Sequence, residues 1–165
     1  MVEVLDTAAL LHWPMSRLRG AHAVPSQLKE LMRLSEARGL LIESSEVIWM
    51  HPSREAIGQA RAAASVTGDL PRLSDVDLEV LALAMELEAT LVTDDYRLQN
   101  VARSEAMSFL SVATRGTTGR WTWHAVCTGC RHRAKITEHA MRSTTGAVRA
   151  CERCGSPMNV RRDRR

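Results

Sequence analysis

The stretch that decides the fold is LSDVDLEVLALAMELEATLVTDDYRLQNVA, residues 73–102. Apolar residues recur at helical spacing through residues 74–88, so this pattern predicts a long helix. The short apolar run at residues 90–93 predicts a buried strand, and residues 96–102 predict a second, shorter helix. A strand between two helices is the repeating unit of sheets whose strands run parallel.

The other segments of the first two thirds of the chain continue this alternation. Strands are predicted at residues 2–5, 40–42, 47–50 and 108–113, and helices at residues 8–13, 25–39 and 53–66. Residues 67–72 contain Gly68 and Pro71 and are predicted to form a loop. We therefore predict a three-layer α/β/α fold around a mostly parallel sheet with right-handed crossovers.

The charge distribution divides the chain into two parts. Residues 1–118 carry a net charge of −5, whereas residues 119–165 carry +8 and contain all four cysteines. The Gly/Thr-rich segment TRGTTGR contributes nothing to a core, so the domain boundary is placed there. The predicted division is a body (residues 1–113), a linker (114–120), a cysteine module (121–160) and a basic tail (161–165).

Composition excludes several classes of protein. Apolar residues make up 45% of the chain and charged residues 25%, which is typical of a globular protein. No uncharged apolar run is long enough to span a membrane, and the first residues, MVEVLDTAALLHW, lack the basic-then-apolar order of a signal peptide. A soluble, cytoplasmic protein is therefore expected.

The cysteines form two C-x2-C pairs, Cys127 with Cys130 and Cys151 with Cys154, separated by 20 residues. This spacing is typical of a zinc site in which each pair turns two thiolates toward one ion. Four thiolates fill a tetrahedral coordination sphere, so the predicted zinc is structural. There are two alternatives, a pair of disulfides and a redox C-x-x-C motif. Disulfides need an oxidising compartment, and a redox motif does not require a second cysteine pair.

Basic residues surround the cysteine pairs, and two tryptophans, Trp121 and Trp123, precede them. Basic groups combined with aromatic rings are typical of proteins that bind single-stranded nucleic acid. Alternatively, the tryptophans cover the small core of the module and the arginines are only solvated. The candidate RNA-binding residues are Arg131, Arg133, Lys135, Arg149 and Arg153, with His132 and Arg142 nearby.

Acidic residues follow two predicted strands of the body. Asp6 ends the first, and Asp94 and Asp95 follow the strand at residues 90–93. Ligand sites of open α/β sheets lie at the carboxyl ends of strands. Asp77, in the first turn of the strongest helix, and Glu30, in the second helix, complete the candidate set. Converging carboxylates repel one another unless a cation neutralises them, and oxygen ligands suit Mg²⁺ or Mn²⁺.

Each acid also has a purely structural interpretation. Ser74 and Asp77 fit the S-x-x-D capping box of a helix start. Asp6 and one of Asp94 and Asp95 fit helix N-caps, and Glu30 fits a solvated helix surface. The residues alone do not separate these interpretations from catalysis.

The segment at residues 73–102, together with VLDTAAL near the start and PSQLKEL at residues 25–31, resembles the PIN-domain nucleases. A PIN domain followed by a four-cysteine zinc ribbon resembles the Nob (Nin-one-binding) endonucleases in their short archaeal form. Four further segments also resemble that branch: TGD at residues 67–69, TDDYRLQNVA, WHAVCTGC and CERCGS. Residues 14–24 match no family pattern.

The resemblance implies a function for each part. A catalytic Mg²⁺ or Mn²⁺ would be bound by Asp6, Glu30, Asp77 and one or both of Asp94 and Asp95. These residues would activate water for attack on a phosphodiester. The cut would create the 3′ end of small-subunit ribosomal RNA, leaving a 3′-hydroxyl and a 5′-phosphate. The precursor particle and a KH-domain assembly factor are the implied partners. A toxin-type or tRNA-directed PIN ribonuclease and a non-catalytic RNA-binding assembly factor are the alternatives.

Overall fold

The computed structural model describes residues 1–112, 123–137, 140 and 146–162. Strands and helices alternate through the body. The strands are β1 (Glu3–Leu5), β2 (His22–Ala23), β3 (Ile48–Trp49), β4 (Thr90–Val92) and β5 (Phe109–Leu110). The helices are α1 (Thr7–His12), α2 (Met15–Leu18), α3 (Ser26–Leu34), α4 (Glu36–Glu43), α5 (Arg54–Thr67), α6 (Asp75–Glu86) and α7 (Tyr96–Ser104), with a 3₁₀ turn at Leu70–Arg72.

The five strands of the body form one parallel sheet in the order β3-β2-β1-β4-β5. Successive residues of a strand point to opposite faces, so each central strand supplies both layers of core. Val4 and Leu91 pack with the side chains of α5, α6 and α7, whereas Leu5 and Val92 pack with those of α1, α3 and α4. The predicted α/β fold with a parallel sheet between helices is confirmed.

Helix α6 forms where the sequence predicts the strongest helix. Its start is fixed by a capping box, because the Ser74 hydroxyl accepts from the Asp77 N–H at 3.1 Å and the Asp77 carboxylate accepts from the Ser74 N–H at 2.7 Å. Its buried leucines face α5, where small side chains such as Ala60 and Ala64 permit close packing. The helix therefore holds Asp77 at a defined place beside the sheet.

Several elements differ from the prediction: helix α2 was not predicted, and the helix predicted over residues 25–39 ends at Leu34. Residues 40–42, predicted as a strand, lie in helix α4, since Ser35 adopts an extended conformation that ends α3 and its hydroxyl then caps α4. Only Ile42 of this apolar run is buried, so the run covers the sheet as one helical turn. Strand β2 was not predicted, because two residues show no alternation; pairing with β1 and β3 on either side maintains it.

The cysteine module is an antiparallel sheet of β6 (Trp123–Cys127), β7 (Arg133–Ala134), β8 (Ala147–Ala150) and β9 (Pro157–Arg162), in the order β7-β6-β9-β8. Its described core contains only Ala125, Cys127, Cys151 and Met158. The predicted linker lies outside the described residues, and β9 runs two residues past the predicted end of the module. Among the described residues, no helix is long and apolar enough to cross a membrane.

Candidate active site and metal centre

The acidic residues at the carboxyl edge of the sheet are positioned by its two adjacent central strands. Strands β1 and β4 pair in parallel with Leu5 opposite Val92, and the Asp6 N–H extends the ladder by donating to the Val92 carbonyl at 2.9 Å. The residues that follow these strands, Asp6 and Thr93, are therefore neighbours in space. This is the edge at which α/β proteins bind ligands.

Asp6 is 8% exposed and accepts two short hydrogen bonds. The Thr93 hydroxyl donates to one carboxylate oxygen at 2.6 Å, and the Thr7 N–H donates to the other at 2.6 Å. Burial, with smaller contributions from the negative charges of Asp77 and Asp95, raises the pKa of Asp6 to about 6, although the two hydrogen bonds oppose the shift. Asp6 is thus mostly ionised at neutral pH, in a site that already holds excess negative charge.

Asp95 belongs to the same electrostatic site. Burial and the charge of Asp77 raise its pKa, although the N–H and guanidinium of Arg97 oppose the shift. Its carboxylate accepts from the Arg97 N–H at 2.7 Å, and its own N–H donates to the Thr93 hydroxyl at 3.0 Å. The Thr93 hydroxyl therefore bonds to both Asp6 and Asp95.

Asp94 is engaged elsewhere. One oxygen of its carboxylate accepts from the Ser111 hydroxyl at 2.5 Å and from the Val112 N–H at 2.8 Å, next to the end of β5. It therefore anchors the segment after β5, while its neighbour Asp95 faces the other acids. The structural difference between these adjacent carboxylates cannot be read from the sequence TDD.

Asp77 is both a helix cap and a member of the site. Its carboxylate completes the capping box of α6, as the structural interpretation predicts. The charge of the same carboxylate raises the pKa values of Asp6 and Asp95, which requires it to lie near both. The two roles are therefore compatible.

Glu30 reaches the site through Thr7. The Thr7 hydroxyl donates to Glu30 at 2.8 Å, while the N–H of the same residue donates to Asp6. Gln27, fully buried one turn earlier in α3, donates to the Leu5 carbonyl at 3.0 Å and accepts from the Val24 N–H at 2.9 Å. It thereby locks α3 against the end of β1 and fixes the distance from Glu30 to Asp6.

The sequence analysis did not identify Thr7, Gln27 and Thr93 as site residues. The available signal was their position, since each lies within three residues of a candidate acid. Small polar side chains at such positions orient the ligands of a site through hydrogen bonds.

The acids have the donor chemistry of a divalent cation site. Their carboxylate oxygens suit Mg²⁺ or Mn²⁺. The pKa values of Asp6 and Asp95 are raised mainly by burial and in smaller part by the neighbouring negative charges, and a bound cation would offset both effects. Their oxygens are less closely gathered than the cysteine sulfurs. Among the residues that the structure describes, only the four cysteines bring three or more possible ligand atoms into a group narrow enough for one ion.

The cysteine cluster has the dimensions of a tetrahedral metal centre. The four sulfurs lie within 4.8 Å of one another, with Cys127 and Cys154 at 3.4 Å and Cys130 and Cys151 at 3.7 Å. Metal–sulfur bonds of roughly 2.3 Å would place the sulfurs about 3.8 Å apart. All four cysteines are free thiols, which contradicts the disulfide alternative. The cluster can therefore hold a metal ion.

Backbone geometry turns each cysteine pair inward. The Cys130 N–H donates to the Cys127 sulfur, and the Arg153 N–H to the Cys151 sulfur, both at 3.4 Å. Gly155 has φ +72°, the left-handed conformation that glycine adopts without strain. Hydrogen bonds from Ser156 lower the pKa of Cys154 to about 6, which favours the thiolate form that binds metals.

Most of the predicted RNA-binding residues lie on the surface of the module. Arg131, Arg133, Lys135 and Arg153 are exposed. Arg149 is half-buried and pairs with Glu152 at 3.4 Å, so its charge is partly neutralised. Arg142 and Trp121 lie outside the described residues.

Asp69 is a second buried acid of the body, only 2% exposed. Its carboxylate accepts from the Asn100 amide at 2.6 Å. Burial raises the pKa of Asp69 to about 6, although hydrogen bonds from Asn100 and Thr67 oppose the shift and the charge of Asp95 adds to it. The folded protein consequently binds this proton more tightly than the unfolded chain does.

Asp69→Asn is therefore expected to stabilise the protein at neutral pH. The pKa of Asp69 in the folded protein lies above its ordinary value of 3.8, so wild-type stability falls as the pH rises from that value to about 6. The amide cannot ionise and still accepts from Asn100. Between pH 4 and pH 7 the free energy of unfolding of the variant should gain up to about 3 kcal/mol relative to wild type.

Urea unfolding at both pH values, without added divalent cations, measures this difference. Asp75→Asn is the matched control, because Asp75 is exposed and its replacement should leave the pH dependence unchanged. A stability difference between Asp69→Asn and wild type that stays constant with pH would contradict the assignment.

Comparison with known proteins agrees with this arrangement. Residues 4–87 match the family described as the PIN domain of ribonuclease. The chain is 40% identical to Endoribonuclease Nob1 of Pyrococcus abyssi, over 73% of this chain and 69% of that protein. It is 31% identical to Endoribonuclease Nob1 of Methanothermobacter thermautotrophicus, over 99% of this chain and 95% of that protein. It is also 31% identical to Ribonuclease VapC1 of Thermoplasma acidophilum, over 100% of this chain and 80% of that protein.

The family match covers the strands and helices that carry Asp6, Glu30 and Asp77, and the long alignments extend into the cysteine module. The α/β fold, the four-cysteine cluster and these similarities agree with one another. The chain therefore belongs to the PIN-domain ribonucleases, in the group of archaeal Nob1 endoribonucleases with a C-terminal four-cysteine module.

Proposed function

We propose that the protein is a divalent-metal-dependent endoribonuclease that cuts precursor small-subunit ribosomal RNA to form its mature 3′ end. The observation that carries this proposal is the hydrogen-bond network of Thr7 and Thr93, which joins Asp6, Glu30 and Asp95 at the carboxyl edge of the sheet, with the charge of Asp77 acting on Asp6 and Asp95. Acids brought together from distant parts of the chain are costly for stability and useful for binding a cation beside a phosphodiester. The similarity to proteins named as endoribonucleases supports the same class of reaction.

In this proposal Asp6, Glu30, Asp77 and Asp95 hold the catalytic Mg²⁺ or Mn²⁺. When bound, the cation supplies positive charge for the scissile phosphate and promotes ionisation of the attacking water. The Thr7 and Thr93 hydrogen bonds orient Asp6 and favour its charged form. We assign the catalytic role to Asp95 and a supporting role to Asp94, because Asp94 is bonded to Ser111 and Val112.

The cysteine module is proposed to hold a structural zinc and to bind the RNA. Its exposed cations, Arg131, Arg133, Lys135 and Arg153, would contact phosphates, so RNA affinity should fall steeply with salt. Hydrolysis would leave a 3′-hydroxyl and a 5′-phosphate. The precursor small-subunit particle and a KH-domain assembly factor are the proposed partners, on the strength of the family resemblance.

A toxin-type or tRNA-directed ribonuclease is the second candidate. The similarity to Ribonuclease VapC1 runs through the whole chain, so the presence of the cysteine module does not by itself exclude this function. The two candidates share the acidic site and differ in the RNA that the protein cuts. A non-catalytic RNA-binding factor is the third, and the electrostatic coupling of the acids argues against it.

A cleavage assay with the full chain and Mn²⁺ or Mg²⁺ separates the candidates. The substrates are an RNA spanning the precursor small-subunit 3′ end, a scrambled RNA of equal composition, and tRNA. We expect one cut in the first RNA, at the mature end, with a 5′-phosphate on the downstream product. Faster cutting of tRNA would support the toxin-type function, and RNA binding without any cutting would support the non-catalytic one.

A further inference from the structure

A cavity of about 420 Å³ lies beside the acidic site, where the body meets the cysteine module. Its lining includes Asp94, Asp95, Tyr96 and Arg97 of the body and Trp123 of the module. We propose that this cavity binds one unpaired nucleobase of the RNA, next to the phosphodiester that is cut. The proposal rests on the proposed function and specifies how that site holds its substrate.

The position of Trp123 is fixed by a close contact with the body. Gly68 has φ +80°, and a Cβ added there would lie 2.3 Å from the Trp123 carbonyl oxygen and 2.6 Å from its Cβ. Only glycine permits this approach, because such distances are far inside van der Waals contact. Trp123 is also the first residue of β6 and pairs with β9, so the module holds it from the other side.

The body contributes a second aromatic ring and a cation. Tyr96 is 53% exposed at the start of α7, so its ring is accessible. The Arg97 N–H donates to Asp95 at 2.7 Å, and its half-exposed guanidinium lies 3.8 Å from the same carboxylate. These bonds fix the first turn of α7, so that Tyr96 and Arg97 both lie at the wall of the cavity.

This lining matches a nucleobase better than a phosphate. Tyrosine and tryptophan rings stack on any base, and an arginine guanidinium does the same or reaches the adjacent phosphate. The negative charges of Asp94 and Asp95 disfavour a phosphate inside the cavity, whereas an uncharged base is not repelled. A base therefore enters the cavity, while its phosphate lies toward the cation site.

The cavity adjoins the site of the reaction. Asp95 lines it, and the Thr93 hydroxyl links Asp95 to Asp6, because it accepts from the Asp95 N–H at 3.0 Å and donates to the Asp6 carboxylate at 2.6 Å. A nucleotide whose base occupies the cavity would place its own phosphodiester, or the next one, at the acids. Because stacking is tolerant of sequence, the pocket would fix the position of the chain rather than select one base.

Single 2-aminopurine substitutions along a short single-stranded RNA test the proposal, since the emission of this base is quenched when it stacks. Protein carrying Asp77→Asn is used, so that the RNA is not cut during the titration. We expect strong quenching at one position, adjacent to the cut made by the wild-type protein. Adding Trp123→Ala or Tyr96→Ala should remove this quenching and weaken binding about tenfold, whereas Trp123→Phe should retain most of both.

An RNA lacking the base at that position provides the complementary measurement. The missing base should weaken binding to Asp77→Asn protein but have little further effect once Trp123→Ala is present. Arg103→Gln, at the other end of α7, is the control that should change neither quantity. Far-ultraviolet circular dichroism and zinc content verify folding, and Tyr96→Ala, on the surface of the body, tests the pocket independently if Trp123→Ala fails to fold.

Two negative results are distinguishable. Cutting by wild-type protein together with RNA binding but no quenched position would overturn the nucleobase pocket and leave the proposed function intact. The pocket would also be overturned if removing the base weakened binding equally in Asp77→Asn protein with Trp123 and in the same protein with Trp123→Ala. Wild-type protein that neither cuts nor binds the RNA would overturn the proposed function, and the pocket with it.

Discussion

Asp77→Asn is expected to slow RNA cleavage by at least about 100-fold while leaving the fold and RNA binding nearly unchanged. The amide removes the charge and the metal-binding capacity of the side chain. Its carbonyl oxygen still accepts the Ser74 N–H, which the Asp77 carboxylate accepts at 2.7 Å in the native capping box. The helix start that Asp77 supports is therefore preserved.

Three measurements on this variant separate catalysis from structure. Single-turnover cleavage with Mn²⁺ gives the rate, thermal unfolding gives the stability, and filter binding gives the RNA affinity. The pKa of Asp6 should also fall, because the charge of Asp77 is one cause of its elevation. Asp75→Asn changes an exposed acid in the same helical turn and should cut at the wild-type rate. A wild-type rate for Asp77→Asn would refute its catalytic role.

Removal of the structural metal proposed for the cysteine module is expected to unfold that module alone. Its described buried core is four side chains, two of which are cysteines, so apolar burial contributes little stability. In small zinc domains the metal supplies about 10–16 kcal/mol of apparent binding free energy, most of which is folding free energy. The body has its own two-layer core and should remain folded.

Hydrogen exchange resolved by segment is the direct measurement. Protection should be lost in β6 to β9 and retained in β1 to β5 after chelation or in Cys151→Ser, and RNA affinity should fall at least about tenfold. Zinc added back after chelation should restore both quantities. Thr137→Ser, which alters an exposed uncharged residue of the module, should change neither. Unchanged RNA affinity in the metal-free protein would contradict the role of the module.

The features predicted from sequence are those encoded by neighbouring residues. Helix α6 has its capping residues and its apolar spacing within one segment. The spacing of the two C-x2-C pairs likewise predicts that the four sulfurs cluster. The short strand β2 and the helical state of residues 40–42 depend instead on the sheet they contact. Their sequences alone carry little of that information.

The same distinction applies to the acids. Position at strand ends predicts that Asp6 and the Asp94–Asp95 pair lie at one edge. Which of the pair faces the site depends on Ser111 and Val112, which follow another strand and bind Asp94. The hydrogen bonds of Thr7, Gln27 and Thr93 likewise join segments that are far apart in sequence, so no local sequence pattern predicts them.

Gly68 has a mutational consequence that neither metal centre would suggest. Any side chain there meets the Trp123 backbone, in a conformation that other residues rarely adopt. A substitution at position 68 would thus push the body and the cysteine module apart, although each keeps all of its proposed metal ligands. Such a mutation would lie outside the acidic residues and the cysteines, and yet the cysteine module would no longer be held beside the acidic site.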